Sequence, residues 1–242
     1  MEVSGGHTRV ERDRSRVTLL LPVLNEIDGL RFVVPKLDPK LFLEIMIVDG
    51  GSTDGSLEFA RAKGVRLFRQ PRKGLAYAIF DALKEARGDY VIEFSPDGNC
   101  PVELLPKIIE RIEQGYDVVI VSRYLPPAKS EDDTWVTAFG NFLFTRMIRF
   151  LGKYPITDAL TIYRGFRKDI ALNGDFERYL IGPVFEPLLS AIACMRDLKI
   201  AEIPGDEPKR IGGQRKMRVL LNGSCILLMI SRMFLLRLGL RT

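Results

Sequence analysis

Short apolar runs alternate with longer segments of mixed polarity through the first half of the chain. The runs are almost continuously apolar, which is typical of strands buried on both faces. The longer segments repeat apolar residues at helical spacing, and two of them end at a glycine, Gly64 and Gly88. This alternation predicts a mostly parallel sheet flanked by helices. The predicted strands are "RVTLLLPVL", "FLEIMIVD", "VRLFRQ", "YVIEFS" and "YDVVIVSRY".

The second half of the chain is less regular. A long amphipathic helix is predicted by "WVTAFGNFLFTRMIRFLG", a strand or hairpin by "ITDALTIYRGFRKDI", and a helix followed by a strand by "FEPLLSAIACMRDLKIAEIP". We divide the chain into a polar tail at 1–15, one α/β domain at 16–217 and an apolar extension at 218–242.

The C-terminal extension is apolar but interrupted by polar residues, among them Asn222, Arg232 and Arg237. A membrane-spanning helix needs about twenty apolar residues, and charge near its middle is costly. We therefore expect one or two amphipathic helices that lie in the membrane interface. The alternative is a pair of helices packed on the domain or in an oligomer interface.

Composition narrows the choice of chemistry. The chain of 242 residues carries a net charge of +5, which suits a phosphorylated ligand or an anionic membrane surface. Its one histidine, His7, lies in the polar tail, so the sequence argues against histidine-based catalysis or a zinc site. The three cysteines are far apart, as expected for reduced thiols in the cytoplasm. No feature favours nucleic acid over other anionic partners.

Polar segments follow several of the predicted strands. In sheets of this kind ligands bind beyond the carboxyl ends of the strands, so these segments are expected to share one site. Asp49 ends a buried strand before the glycine-rich turn "GGSTDGS", where a carboxylate can accept hydrogen bonds from a nucleobase or ribose. The alternative is a plain strand–turn–helix junction in which Ser52 or Asp54 caps the helix.

A second loop, "SPDGNCP", places Asp97 two residues before Asn99. This spacing lets two oxygen atoms converge on Mg²⁺ or Mn²⁺, which accept few protein ligands and complete their shell with phosphate oxygens and water. The alternative is a turn, because proline, aspartate, glycine and asparagine are all strong turn formers.

Taken together, four segments resemble family 2 glycosyltransferases of the GT-A fold, and within them the dolichyl- or polyprenyl-phosphate sugar synthases. The segments are "LPVLNE" (Leu21 to Glu26), "VDGGSTDGS" (Val48 to Ser56), "RKGLAYAIFDALKEARGDYVIEFSPDGNCPVELLPKII" and "VSRY" (Val121 to Tyr124). The resemblance extends over most of the chain. It implies an α/β GT-A domain that moves a hexose from a GDP- or UDP-linked donor to a polyprenyl phosphate, with inversion and with Mg²⁺ or Mn²⁺.

The resemblance also assigns residues to roles. Residues implied to lie around the donor nucleotide are Pro22, Asn25, Glu26, Asp49, Lys73, Gly74 and Asp97. Residues implied to hold the metal are Asp97 and Asn99. Residues implied to bind the acceptor phosphate are Arg123, Arg164, Arg210 and Lys216, and those implied in catalysis are Asp97 and Arg123. The enzyme is expected to work at the cytoplasmic face of a membrane, with a second copy of the chain as another partner to test.

One departure from the family pattern concerns the metal. The family motif begins with an acid where this chain has Ser95, so we expect weaker cation binding. Two other functions stay open. A family 2 transferase that extends a saccharide would need a base, for which Asp158, Asp132 and Asp133 are candidates. A protein that binds the nucleotide sugar without turnover is suggested by Ser95 itself.

Overall fold

The computed structural model describes residues 16–152, 154–174, 176–212 and 218–239. Within these ranges, seven strands form one sheet in the order β3-β2-β1-β4-β6-β5-β7. They are β1 (Val17–Val23), β2 (Glu44–Asp49), β3 (Arg66–Arg69), β4 (Tyr90–Glu93), β5 (Val118–Ser122), β6 (Arg164–Arg167) and β7 (Ile200–Pro204). Strand β6 runs antiparallel to both neighbours, and all other pairs are parallel. The mostly parallel sheet predicted from the sequence is therefore confirmed.

Helices cover both faces of this sheet. They are α1 (Ile27–Val33), α2 (Ser56–Ala62), α3 (Leu75–Glu85), α4 (Leu105–Glu113), α5 (Trp135–Arg149), α6 (Asp169–Leu172), α7 (Phe176–Tyr179), α8 (Phe185–Met195) and α9 (Val219–Arg237). The first helix ends early because Pro35 lies in a 3-10 turn at Val34–Lys36. The segment predicted as a strand or hairpin gives an irregular loop followed by the four-residue β6.

The alternation of side chains along the strands divides the core into two layers. Leu20, Met46 and Val48 face the layer under α3 and α8, whereas Leu19 and Ile47 face the layer under α1, α2 and α4. Successive strand residues point to opposite faces, so a sheet covered on both sides needs continuously apolar strands. This requirement explains why β1 and β2 read as unbroken apolar runs.

The C-terminal extension forms one helix, α9, which packs against α5 and α8. Ile226, Met229, Ile230 and Met233 on one face of α9 are buried in the same core layer as α3 and α8. In the described part of the chain, α9 alone is long and apolar enough to cross a membrane by length and composition. Because one of its faces is built into the core, α9 lies along the domain.

Helix α5 begins at the capping residue Thr134, whose hydroxyl accepts a hydrogen bond from the main chain of Thr137. Its outer face carries large apolar side chains, followed by two arginines, Arg146 and Arg149, in the last turn. Trp135 is 82% exposed, and Phe139 and Phe142 are also exposed. The neighbouring helix α9 exposes a similar set, Leu220, Leu221, Leu228 and Phe234, and its C-cap residue Leu238 is exposed as well. We call these exposed residues of α5 and α9 the apolar face.

Candidate active site

The carboxyl ends of β1, β2, β4 and β5 meet at one edge of the sheet, because these strands are parallel to each other or separated only by β6. A cavity of about 600 Å³ opens there. Six of the predicted site residues line it, together with Ser95: Pro22, Glu26, Gly74, Asn99, Arg123 and Arg210. The expectation that the loops after these strands share one site agrees with this geometry.

The loops after β1 and β2 are bound to each other. Asn25 adopts a left-handed backbone with φ of 55° and accepts a 2.8 Å hydrogen bond from the Thr53 main chain. The Asn25 main-chain N–H in turn donates to Ser52 Oγ at 3.0 Å. Asparagine is one of the few residues that adopt this backbone at low cost. Asn25 therefore shapes the loop as well as standing at its exposed tip.

Asp49, at the end of β2, is fully buried. Its two carboxylate oxygens accept hydrogen bonds from the main-chain N–H groups of Gly51 at 3.0 Å and Ser52 at 2.9 Å. Asp49 thus organises its own turn, in the manner of the junction that the sequence left open as an alternative. Asp49 has no exposed surface, and its neighbours Val48 and Gly50 line the cavity instead of Asp49 itself, so its contact with a nucleotide stays a prediction.

The turn before α3 contributes backbone rather than charge to the cavity wall. Gly74 lines the cavity and has a φ of 111°, a conformation that favours glycine. Lys73, in the same turn, is exposed and does not line the cavity. Its side chain would have to swing inward to reach a ligand in the cleft.

The loop between β4 and α4 holds Asp97 and Asn99, as expected. Asp97 is buried, and its Oδ1 accepts a hydrogen bond from the Asn99 main chain at 3.2 Å. Its Oδ2 lies 2.5 Å from Arg210 Nη2, and its main-chain oxygen accepts a 2.6 Å hydrogen bond from the Ile211 main chain. The segment after β7 therefore lies directly on the candidate metal loop. Gly98 permits this approach, since a Cβ there would stand 2.7 Å from the Ile211 side chain.

The donor set suits a divalent cation held by few protein ligands. No cluster of three or more His, Cys, Asp or Glu side chains exists among the described residues. Asp97 nevertheless already holds a cationic group, the guanidinium of Arg210, and Ser95 and Asn99 line the same cavity. Mg²⁺ and Mn²⁺ bind through one or two carboxylates plus substrate phosphates. The residues present fit such an ion, provided that Arg210 moves away from Asp97.

Arg123, just after β5, lies in the cavity wall between two carboxylates. Its Nε is 2.7 Å from Asp158 Oδ2, and its Nη1 is 3.3 Å from Glu207 Oε1. Burial disfavours the charge of Arg123, but Asp158 and Glu207 more than offset this and raise its pKa. Burial likewise works to raise the pKa of Asp158, yet Arg123 holds it below its usual value. Arg123 therefore stays charged and fixed in orientation.

Arg164 corrects one expectation, since it does not reach the cavity to bind an acceptor phosphate. It lies in β6 with no exposed surface. Its guanidinium donates to the main-chain oxygens of Ala159, Thr161 and Glu186 and to Ser190 Oγ. Its donors are thus used within the protein, and its role is structural.

The charge of Arg164 is balanced by two buried acids. Glu93 is fully buried, and neither of its carboxyl oxygens has a hydrogen-bond partner among the described residues. Burial, and secondarily the charge of Glu186, raise the pKa of Glu93 well above its usual value. Burial also raises the pKa of Glu186 and lowers that of Arg164. Glu186 differs from Glu93 in that it lines the cavity.

The three acids considered as bases for a saccharide acceptor, Asp158, Asp132 and Asp133, do not line the cavity. Asp158 is fully buried and paired with Arg123. Asp133 accepts hydrogen bonds from the hydroxyls of Tyr124 and Thr137. Lys216, expected at the acceptor phosphate, lies outside the described residues, so its role stays a prediction.

Sequence reasoning missed Glu207 and Glu186, which both line the cavity. Glu207 follows β7 within "GDEPKR", so the rule that singled out the other strand ends would also have identified it. Burial raises the pKa of Glu207, which Arg123 partly offsets. Glu186 has no comparable signal, because it stands in an apolar helix far along the sequence.

The chain belongs to glycosyl transferase family 2, whose family model matches residues 18–173. A dolichyl-phosphate hexose transferase of Haloferax volcanii is 30% identical over 183 residues, which are 76% of this chain and 77% of that protein. A dolichol-phosphate mannosyltransferase of Pyrococcus furiosus is 28% identical over 218 residues, which are 84% of this chain but only 59% of that protein.

The fold is shared with a solved glucosyl-3-phosphoglycerate synthase of Mycobacterium tuberculosis, in complex with Mn²⁺, UDP-glucose and glycerol 3-phosphate. The TM-score is 0.67 at 21% identity, over 95% of this chain and 82% of that one. Both the family and the GT-A fold implied by the sequence motifs are thereby confirmed. The chain is a family 2 glycosyltransferase, a class that uses nucleotide-sugar donors.

Proposed function

We propose that this protein transfers a hexose, with inversion and with Mg²⁺ or Mn²⁺, from a nucleotide-diphosphate sugar to a polyprenyl phosphate at the cytoplasmic surface of a membrane. The observation that carries the proposal is the layout of a single cleft. The Asp97–Asn99 loop lies on one side of it, Arg123 on another, and α9 borders it through Asn222 and Ile226. Charged groups for two phosphorylated substrates thus lie beside a helix that also contributes to the apolar face.

The donor half rests on the loops after β1, β2 and β4. Pro22, Glu26 and Gly74 line the cleft, and the bonded loops around Asn25 and Asp49 support them. A cation held at Asp97 and Asn99 would supply Lewis-acid stabilisation of the charge that develops on the leaving diphosphate. Of the chain's own residues, Asp97 and Asn99 orient the donor, and the bonded loops keep its nucleotide from shifting during transfer.

The acceptor half rests on Arg123. Its guanidinium has the planar geometry that suits a phosphate oxygen pair, and Asp158 fixes its orientation from behind. A phosphate is already ionised and nucleophilic at neutral pH, so attack on the sugar needs no strong base. The commitment of Asp158 and Asp133 to other partners is consistent with such an acceptor. Arg210, in the loop above, is within reach of the same space.

The membrane part of the proposal rests on the apolar face. Large apolar side chains exposed together on two adjacent helices of a folded domain mark an interaction site. Arg146, Arg149, Arg232 and Arg237 lie on the same two helices and can reach anionic headgroups. With one side of α9 built into the core, the arrangement suits a protein that lies on a bilayer rather than one anchored by a spanning helix.

A glycan or other hydroxyl acceptor is the second candidate, and Glu207 favours it. This carboxylate lines the cleft beside Arg123, and burial raises its pKa above the usual value of a glutamate, the direction that favours proton abstraction. The fold neighbour's complex with glycerol 3-phosphate also shows that a soluble phosphorylated molecule binds this fold in that protein. The lipid phosphate remains our first proposal because it accounts for the apolar face as well.

A donor panel tests the proposal. UDP- and GDP-linked hexoses are incubated with the protein, Mn²⁺ and either polyprenyl phosphate, the corresponding unphosphorylated polyprenol, or an oligosaccharide. Transfer to the lipid phosphate alone is the expected result. Transfer to the oligosaccharide instead would support the second candidate. Donor binding with neither transfer nor donor hydrolysis would identify a non-catalytic nucleotide-sugar-binding protein.

A further inference from the structure

The segment after β7 carries two opposite charges into the cleft. We call residues 205–212 the β7 loop. Glu207 places its carboxylate oxygens 3.3 and 3.4 Å from Arg123 Nη1, and Arg210 places Nη2 2.5 Å from Asp97 Oδ2. Each charged group of the loop therefore pairs with a site residue of opposite sign.

These pairs match the charges of the proposed substrates. A carboxylate and a phosphate present the same kind of oxygen pair to a guanidinium. A guanidinium and a divalent cation both neutralise a carboxylate. We propose that the β7 loop is an internal stand-in for the substrates: Glu207 occupies the place of the acceptor phosphate on Arg123, and Arg210 occupies the place of the divalent cation on Asp97. This inference rests on the proposed function and describes how the same site is kept closed before it is loaded.

The two ends of the loop are held differently. At its start, the Glu207 main chain donates to Lys129 O at 2.8 Å and accepts from the Glu131 N–H at 2.7 Å. This part is fixed by backbone pairing, so only the Glu207 side chain has to turn to release Arg123, and in turning it also gives up the hydrogen bond that it accepts from the Ser130 hydroxyl. Beyond it, Arg210 and Ile211 rest on the Asp97 loop through the Arg210–Asp97 ion pair, one main-chain hydrogen bond and the contact over Gly98. This second part has to lift as a unit.

The closed position is imperfect for Arg210. Its Nε is buried and has no hydrogen-bond partner among the described residues. A buried donor left without a partner costs free energy, so the closed loop is easier to leave than a fully bonded one would be. Arg210 once released has its whole guanidinium available for a phosphate. The β7 loop thus links the arrival of the cation at Asp97 to the exposure of Arg210, a second basic group in the cleft.

The test is Mn²⁺ binding, measured without nucleotide by the loss of the free Mn²⁺ electron paramagnetic resonance signal. The variants are Arg210→Ala, Arg210→Lys and the control Lys209→Ala, which removes an equal charge from an exposed position of the same loop. If nine molecules in ten are closed, Arg210→Ala should tighten Mn²⁺ binding about tenfold. Lys209→Ala should change it by less than about twofold, because an exposed charge is largely screened. Arg210→Lys, which keeps the charge but loses the fork, should fall between them.

A second arm addresses Glu207. Binding of inorganic pyrophosphate, followed by calorimetry, should tighten several-fold in Glu207→Gln and remain unchanged in the control Glu131→Gln, an exposed neighbour. Equal tightening of Mn²⁺ binding in Arg210→Ala and Lys209→Ala would overturn the stand-in role of the β7 loop, because general electrostatics would then explain the effect. A second contrary outcome is that Arg210→Ala leaves the Mn²⁺ affinity unchanged while the wild-type protein still binds Mn²⁺ together with UDP or GDP. That result would overturn the stand-in role of the β7 loop but spare the proposed function. Absence of Mn²⁺ binding in every variant, with and without nucleotide, would overturn both.

Discussion

Arg123 and Asp158 form a two-point ion pair, with Nε 2.7 Å from Oδ2 and Nη2 3.1 Å from Oδ1. Asp158 has no exposed surface, and its carboxylate also accepts the main-chain N–H groups of Leu160 and Thr161. The pair therefore fixes the orientation of the guanidinium and leaves its remaining edge facing the cleft. A basic side chain that is already held in place binds a phosphate more tightly, because it loses less side-chain entropy on binding.

The first prediction concerns the fixed guanidinium of Arg123. Arg123→Lys keeps the charge but loses the fork, so it should raise the acceptor KM by about tenfold to a hundredfold, the loss of one or two charge-assisted hydrogen bonds. The donor KM should change by less than about threefold. Steady-state kinetics with polyprenyl phosphate and a nucleotide sugar separate the two constants. An acceptor KM that stays at the wild-type value would remove Arg123 from the acceptor site.

The second prediction concerns Arg164. Arg164→Leu should lower the free energy of unfolding by about 3–5 kcal/mol, because Glu93 and Glu186 would lose the charge that compensates them and three main-chain oxygens would lose donors. Denaturant titration measures this loss. The same titration of Arg123→Leu gives a comparison, because this variant removes an arginine from the cleft wall instead of from the core. If Arg164→Leu folds with near-normal stability and its defect lies in the acceptor KM alone, the structural role is wrong.

The sequence was sufficient for the parts of the fold that depend on local pattern. The apolar runs of β1 and β2 and the glycine stops after α2 and α3 predicted the sheet, and the strand-end rule brought the loops of Asp49 and Asp97 to one cleft. The insertion of β6 between β4 and β5 was not predictable in this way. A four-residue strand has too few positions to show a period, and its antiparallel pairing depends on partners more than 40 residues away in the chain.

Side-chain roles were harder to predict than positions. An arginine in a family motif looks like a ligand-binding group, yet Arg164 is enclosed by two acids that its own sequence neighbourhood does not contain. Glu207 is the converse case, an acid in an ordinary charged loop whose place opposite Arg123 depends on backbone pairing with residues 129–131. Burial and pairing over long sequence separations therefore decided what the motifs left open.

The third prediction concerns the departure from the family pattern at Ser95. Ser95 lines the cleft close to the Asp97 loop, so Ser95→Asp adds a carboxylate where a divalent cation would bind. We expect Mn²⁺ affinity to rise by about tenfold, since ligand charge tunes cation affinity. Gln70→Glu is the matched control, because it adds the same charge to the cleft on the nucleotide side. Equal effects in both variants would argue against a cation at the Asp97 loop.

The fourth prediction concerns acid stability. A two-point ion pair with Arg72 lowers the pKa of Asp81 below its ordinary value of 3.8. A lowered pKa means that the folded protein binds the proton less readily than the unfolded chain. The pair therefore stabilises the fold fully above about pH 4, and this contribution disappears as the pH falls through the folded-state pKa. Asp81→Asn should lower the free energy of unfolding by about 1 kcal/mol at pH 7. Between pH 5 and pH 3 the variant should lose less stability than the wild type, because it no longer has this carboxylate to protonate. Parallel acid titrations in wild type and variant would contradict this assignment.

The fifth prediction concerns the apolar face. Trp135 and Phe139 lie on its α5 side, and Leu220 and Leu228 on its α9 side. Because all four are exposed, their replacement by serine should leave the core intact, while each removes about 1.5–3 kcal/mol of burial in a bilayer. The quadruple variant should therefore lose binding to anionic vesicles in sedimentation and lose transfer to a long-chain acceptor, yet keep donor binding. Phe32→Ser with Leu43→Ser, exposed elsewhere, is the control. If the quadruple variant still sediments with vesicles but changes from dimer to monomer by light scattering, the apolar face is an interface between copies of the chain, and the lipid acceptor loses its main structural support.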